Sequence, residues 1–157
     1  MALRNPAKAR ERDEALSRVL KAIRRHRHMT VDQVADLMML KKRTYERFEA
    51  GEGLLKAERI FAFARATDAD PYALWASAKL GTPDFALACI DNKLVLLFVT
   101  HARRLFESTG ADLGKLQPQV IVEALAAAFT LMRTEIDRSR SAAATWPDPG
   151  FSSDAEG

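Results

Sequence analysis

The sequence has few of the residues on which secreted, metal-bound or membrane proteins depend. Only one of its 157 residues is a cysteine, Cys89, which excludes an intrachain disulfide and a cysteine-type zinc site. Its apolar runs, such as LVLLFV at 94–99, are far too short to cross a bilayer. The first residues lack the apolar core of a signal peptide. We therefore expect a cytoplasmic protein with no membrane partner.

Signals for β-strands and for catalysis are also nearly absent. No Asn-Gly or Asp-Gly turn and no alternating apolar run occurs, which favours an all-α fold. The sequence has neither a glycine-rich phosphate loop nor a nucleophile-elbow serine. His26 and His28 lie about 200° apart on a predicted helix, so they cannot share a metal ion. We expect no enzymatic activity, no catalytic residue, no metal site and no cofactor.

Positive charge is in excess in the first half of the chain only. Residues 1–80 contain 17 Lys and Arg against 11 Asp and Glu, whereas residues 81–157 contain 7 against 10. A basic first half and a mildly acidic second half indicate that only the first half meets a polyanion such as nucleic acid.

Apolar residues recur at helical spacing along most of the chain. In the first half this spacing predicts five helices, at about 12–27, 30–38, 42–50, 56–67 and 71–79. The segment 81–84 (GTPD) is the clearest break in the chain. Beyond it we expect an apolar stripe over 87–105, interrupted near residue 91, then a loop at 108–118 and a last helix from Pro118. The tail 141–157 is rich in small residues, Pro and Gly, and is predicted to be disordered.

Residues 30–51, TVDQVADLMMLKKRTYERFEAG, have the form of two short helices joined by a tight turn. This stretch resembles, without a gap, the XRE-type (lambda-repressor-like) helix-turn-helix family of transcriptional regulators. The resemblance covers about residues 12–80 and implies a five-helix DNA-binding domain at 1–80. The matching positions are Thr30, Val34, Ala35, Met38, Leu40, Thr44, Tyr45, Phe48, Glu49 and Gly51.

The resemblance also implies roles for polar residues. It places three cations of the helix 42–50 at base edges in the major groove of double-stranded DNA, namely Lys42, Arg43 and Arg47. It assigns three residues to DNA phosphates, namely Thr30, Lys41 and Thr44, and it implies a structural ion pair between Arg24 and Glu49. The alternative interpretation is that these cations only solvate a surface helix. Glu46 is expected to pair with Lys42 four residues before it.

Three residues depart from the family pattern. Val31 stands where the family has glutamine, Met39 where it has the turn glycine, and Lys41 where it has a serine or threonine cap. A side chain in a left-handed turn costs about 1 kcal/mol, and the loss of a helix cap costs about as much. These departures leave open a second hypothesis, a protein-interaction adaptor that keeps the fold without specific DNA binding.

The apolar stripes at 94–105 and 121–136 are too wide for two helices to bury by themselves. Their partner is either the front domain or a second copy of the chain, and a second copy fits a protein that binds paired half-sites. A pocket for a small-molecule effector is the less favoured alternative, because no polar cluster marks a ligand. We therefore predict a two- or three-helix dimerisation domain at 84–140 with an interface that includes Leu94, Phe98, Leu105, Leu125, Phe129 and Met132. The whole sequence indicates a dimeric transcriptional repressor.

Overall fold

All the regular secondary structure that is described in this protein is helical. The computed structural model describes residues 6–52 and 57–144, and these contain eight α-helices, one 3-10 helix and no strand. The α-helices are α1 (Pro6–His26), α2 (Val31–Leu37), α3 (Lys42–Glu49), α4 (Ala57–Ala66), α5 (Pro71–Leu80), α6 (Asp84–Ala88), α7 (Leu94–Thr109) and α8 (Pro118–Ala144). The prediction of an all-α fold is confirmed.

The hydrophobic core is built by α1 to α5 with α6 added. Helix α1 turns one apolar stripe inward, because residues 16, 19, 20 and 23 recur at helical spacing and are all buried. The ring of Phe48 lies centrally, with its centroid 6.2 Å from the rings of both Tyr45 and Phe63. Burial of a large apolar side chain stabilises a fold by about 1.5–3 kcal/mol. This core therefore fixes the face of α3 that points inward.

Helix α6 and the start of α7 are packed on this core. Ala86 and Ile90 are buried in the same apolar cluster as α1. The carboxylate of Asp70, 1% exposed, caps two helices at once. Its Oδ1 accepts hydrogen bonds from the first turn of α5 (both 3.0 Å), and its Oδ2 accepts from the amides of Val95 and Leu96 in α7 (2.8 and 2.9 Å). One buried side chain thus satisfies four amides that would otherwise lack acceptors.

By compactness the chain divides into two units between Glu107 and Ser108. This position lies beyond the break expected at 81–84, because a break in helical periodicity does not prevent the next helix from packing on the same core. The predicted division of function between residues 1–80 and 84–140 remains a prediction.

The second unit contains a 3-10 helix (Gly110–Lys115) and α8. The loop expected at 108–118 is therefore wrong in part, since α7 continues to Thr109 and the 3-10 helix follows it directly. None of the described residues from 108 onward is buried. The first four residues of the predicted disordered tail, 141–144, are helical, and residues 145–157 lie outside the described part of the chain.

Candidate nucleic-acid interface

The turn between α2 and α3 sets the direction in which α3 leaves the core. Met39 has a left-handed backbone (φ 55°) at the position where the family has glycine, and its side chain is 93% exposed. The next residue, Leu40, is partly buried against the core, and its amide donates to the carbonyl of Ala35 (2.9 Å). The turn is therefore left-handed at Met39 although this residue has a Cβ.

The start of α2 contains a capping box that the sequence analysis did not identify. The Oγ1 of Thr30 accepts a hydrogen bond from the amide of Gln33 (3.2 Å), and the Oε1 of Gln33 accepts one from the amide of Thr30 (2.8 Å). The pattern Thr-x-x-Gln in the sequence is the signal for this motif. Because the amide of Thr30 already donates to Gln33, a phosphate contact by that amide requires the Gln33 side chain to move.

Helix α3 has one buried and one exposed face. Tyr45, Phe48 and Glu49 are buried, whereas the three cations predicted for base contact are exposed. Lys41 is the N-cap residue of α3 and makes no side-chain cap hydrogen bond, as expected of a lysine at that position. The helix therefore presents Lys42, Arg43 and Arg47 on the side away from the core.

A buried network fixes the far end of α3 to α1. Arg24 donates through Nε and Nη2 to the two carboxylate oxygens of Glu49 (2.7 and 3.0 Å), and the hydroxyl of Tyr45 donates to Oε1 of the same carboxylate (2.7 Å). Glu49 and Arg24 have side-chain exposures of 6% and 15%. The hydrogen bond to Glu49 raises the pKa of Arg24, and burial, with the Glu49 carboxylate second, raises the pKa of Tyr45. The pair implied by the family resemblance is thus present in the structure and orients α3.

Two of the exposed cations on α3 form ion pairs with carboxylates from outside the helix. Lys42 donates to Asp32 of α2 (3.0 Å), and this hydrogen bond raises the pKa of Lys42. The expected pairing with Glu46 is therefore not the ion pair that the structure contains, because the start of α2 lies beside Lys42. Arg47 donates through Nε to Glu52, just beyond α3 (3.2 Å). Arg43 has no ion pair among the residues that the structure describes.

Two cations of α3, Arg43 and Arg47, border an open groove of about 410 Å³. Its lining includes the predicted phosphate contacts Lys41 and Thr44, and also Arg59 from the first turns of α4. Arg59 has no local signal in the sequence, since only the packing of α4 brings it to this side of α3. A basic groove beside a basic helix is suited to a polyanion. The six lining residues are Lys41, Arg43, Thr44, Arg47, Glu52 and Arg59.

The residues predicted for a dimer interface lie on two helices. Leu94 and Phe98 of α7 are half-buried, and Leu105 near its end is 45% exposed. On α8, Leu125, Phe129 and Met132 are 42%, 50% and 38% exposed. Large apolar side chains are thus accessible on both helices.

The described parts of the chain contain neither a candidate metal site nor a candidate membrane-spanning helix. Among residues 6–52 and 57–144 no group of three or more His, Cys, Asp or Glu side chains could hold a metal ion. No described helix is both long enough and apolar enough to cross a membrane.

Comparison with known families agrees with this geometry. Residues 15–74 match the model of a helix-turn-helix domain family, and this range runs from the first buried turn of α1 into α5. This protein contains a helix-turn-helix domain. The match is consistent with the XRE-type family and indicates a DNA-binding regulator of transcription. No curated protein and no solved structure matches the chain significantly.

Proposed function

We propose that this helix-turn-helix protein is a sequence-specific regulator that binds double-stranded DNA as a homodimeric repressor, without enzymatic activity. The observation that carries the proposal is the two-sided character of α3. Its inner face is fixed by Phe48 and by the Arg24–Glu49 pair, while its outer face presents three cations beside a basic groove. An α-helix fits the major groove, where base edges are distinguishable.

In this proposal Lys42, Arg43 and Arg47 contact bases. A guanidinium can donate to O6 and N7 of guanine together, which is worth about 1–3 kcal/mol of discrimination against another base. Arg43 is best suited to this contact, since no ion pair with a described residue must be broken first.

Phosphate contacts come from the border of the same surface. Lys41 and Thr44 line the basic groove with Arg59, so three residues from two helices can follow one DNA strand. Lys41 forgoes a side-chain cap, and a phosphate at this helix start would satisfy both its charge and the free amides of the first turn. Thr30, the N-cap residue of α2, is proposed as a further phosphate contact.

The homodimer is proposed from the accessible apolar side chains of α7 and α8. On α8 they recur at 121, 125, 129, 132 and 136, the three- and four-residue spacing by which helices pack in bundles. A second copy supplies an identical stripe and relates two recognition helices by a two-fold axis. Half-sites on B-DNA would then lie about 34 Å apart. Binding of a small-molecule effector is the less favoured alternative.

Selection of binding sites from random duplexes tests the DNA-binding proposal. We expect a two-fold-symmetric site, and Arg43→Ala is expected to weaken binding to it by about 1–3 kcal/mol, with a much smaller loss on random duplex. Arg104→Ala is the matched control, because it removes an exposed arginine from α7. Equal losses on both DNAs would assign Arg43 to general charge. A reporter with the selected site placed across a promoter tests repression.

Sedimentation of the full chain at micromolar concentration tests the homodimer. Phe129→Asp is expected to dissociate it, because an unpaired charge buried in an interface costs several kcal/mol. Leu131→Asp is the control, since residue 131 lies on the same helix but about 200° around from residue 129. Wild-type protein that sediments as a monomer would refute the dimer.

The adaptor hypothesis is the second candidate, and specific observations favour it. Lys42 donates to Asp32, and the amide of Thr30 donates to the side chain of Gln33. Both hydrogen bonds must break before these two groups can contact DNA. Failure of the site selection, with the protein folded, would favour the adaptor.

A further inference from the structure

Glu52 is an acidic residue in the middle of a basic surface. It lies three residues beyond the end of α3, and its amide donates to the carbonyl of Arg47 (2.8 Å), which holds its backbone against the end of the helix. Its side chain is 60% exposed. Glu52 lines the basic groove and also a second groove along α3, bordered by Arg43, Glu46, Arg47 and Ala50. A carboxylate at this position repels DNA phosphates, so it weakens DNA binding unless it has another role.

The geometry of the Arg47–Glu52 pair indicates that Glu52 orients the Arg47 side chain. The carboxylate accepts from Nε of Arg47 (3.2 Å), and no other hydrogen bond to this guanidinium is recorded within the described part of the chain. The two Nη groups, which can contact O6 and N7 of guanine together, are not used by the pair. An ion pair at Nε therefore restricts the guanidinium to one orientation while leaving its outer edge available to a base.

We propose that Glu52 is a positioning residue that sets the sequence specificity of the DNA-binding surface through Arg47. On a cognate site it orients the guanidinium before the base is met, so that less side-chain entropy is lost on binding. On other sequences it keeps Arg47 from turning toward a phosphate, a contact that would strengthen binding to any DNA. This inference rests on the proposed function and adds a named cause of specificity to it.

The size of the effect follows from the exposure of the pair. Exposed ion pairs contribute about 0.2–1 kcal/mol, which corresponds to about a 1.4-fold to fivefold change in an equilibrium constant. Each phosphate that a protein neutralises on B-DNA makes the slope of log K against log salt steeper by about 0.9. Loss of Glu52 is thus a small but measurable change.

Glu52→Gln in the full-length protein is the test, with binding measured on the selected site and on a random duplex of equal length over a range of salt. We expect the ratio of the two affinities to fall by about 1.4-fold to fivefold, and the salt slope on random duplex to steepen by about one unit. Glu107→Gln is the matched control. It removes an exposed carboxylate from an ion pair with Arg103 (2.7 Å) on α7, and it should leave the affinity ratio unchanged.

A second background separates orientation of Arg47 from simple charge. With Arg47→Ala already present, Glu52→Gln should change both affinities equally, because no guanidinium remains to be oriented. A fall in the affinity ratio in that background would overturn the proposal and make Glu52 itself a base contact. An unchanged ratio in the wild-type background would also overturn it. If the wild-type protein binds no DNA, the failure lies with the proposed function and not with Glu52.

Discussion

The two units of this chain use similar residues in opposite ways. Up to Glu107, aromatic rings, a glycine turn, a carboxylate and an ion pair are buried in one core. From Ser108 onward the described residues include the same types, and none of them is buried. Stability in the first unit is thus supplied within the chain, whereas the large apolar side chains described in the second unit are exposed. Matched substitutions in the two units measure this difference directly.

The largest difference is expected between two phenylalanines. Phe48→Ala removes a ring that is 2% exposed between Tyr45 and Phe63, and should lower the free energy of unfolding by about 3–5 kcal/mol. Phe129 is 50% exposed, so Phe129→Ala should leave the first unit as stable as before. Urea titration followed by circular dichroism, with hydrogen exchange to localise the change, measures both. Similar losses would show that the second unit supports the core.

Two glycines with left-handed backbones form the next pair. Gly51 has φ 79°, and a Cβ there would lie 2.5 Å from the carbonyl oxygen of Asp13, whereas Gly110 has φ 55° and open space around it. Both alanine variants incur the left-handed cost of about 1–2 kcal/mol. Gly51→Ala also forces α1 and the end of α3 apart, for a total of about 2–4 kcal/mol. Equal costs in thermal unfolding would mean that α1 shifts freely.

The third comparison is between two aspartates, one a buried helix cap and the other an exposed surface carboxylate. Asp70→Ala leaves four amides in α5 and α7 without their acceptor, and two lost caps cost about 1–4 kcal/mol. Asp112 makes an exposed ion pair with Lys115, so Asp112→Ala should change stability by less than about 0.5 kcal/mol. Hydrogen exchange should show residues 72, 73, 95 and 96 losing protection together in Asp70→Ala. Loss confined to α5 would indicate that α7 is held by other contacts.

The sequence predicted the parts of this architecture that depend on local spacing. The periodicity of α1 to α5 and the proline that begins α5 are visible within one or two helical turns. Other features depend on residues far apart in the chain. Arg59 reaches the groove beside α3 through the packing of α4, and Asp70 meets α7 about 25 residues later.

The placement of α6 is another feature that local sequence spacing does not predict. The segment 81–84 interrupts helical periodicity, and this interruption predicts a break in the chain there. Burial of Ala86 and Ile90 in the core is a tertiary effect with no local signal. The pairing of Lys42 with Asp32 rather than Glu46 has the same origin, because the competing carboxylate comes from another helix.

The smallest difference is expected between two ion pairs. Arg24 and Glu49 are 15% and 6% exposed, whereas Arg138 and Glu135 on α8 are 71% and 62% exposed. Double-mutant cycles with alanine should give a coupling of about 0.5–3 kcal/mol for the first pair and less than about 0.5 kcal/mol for the second. The coupling of the buried pair should persist in about 0.5 M salt, whereas the coupling of the exposed pair should be screened at that concentration. Because Glu49 also accepts from Tyr45, a Tyr45→Phe background should change the first coupling and not the second. Equal couplings would mean that water reaches the Arg24–Glu49 pair, and the orientation of α3 would then rest on Phe48 and its apolar neighbours alone.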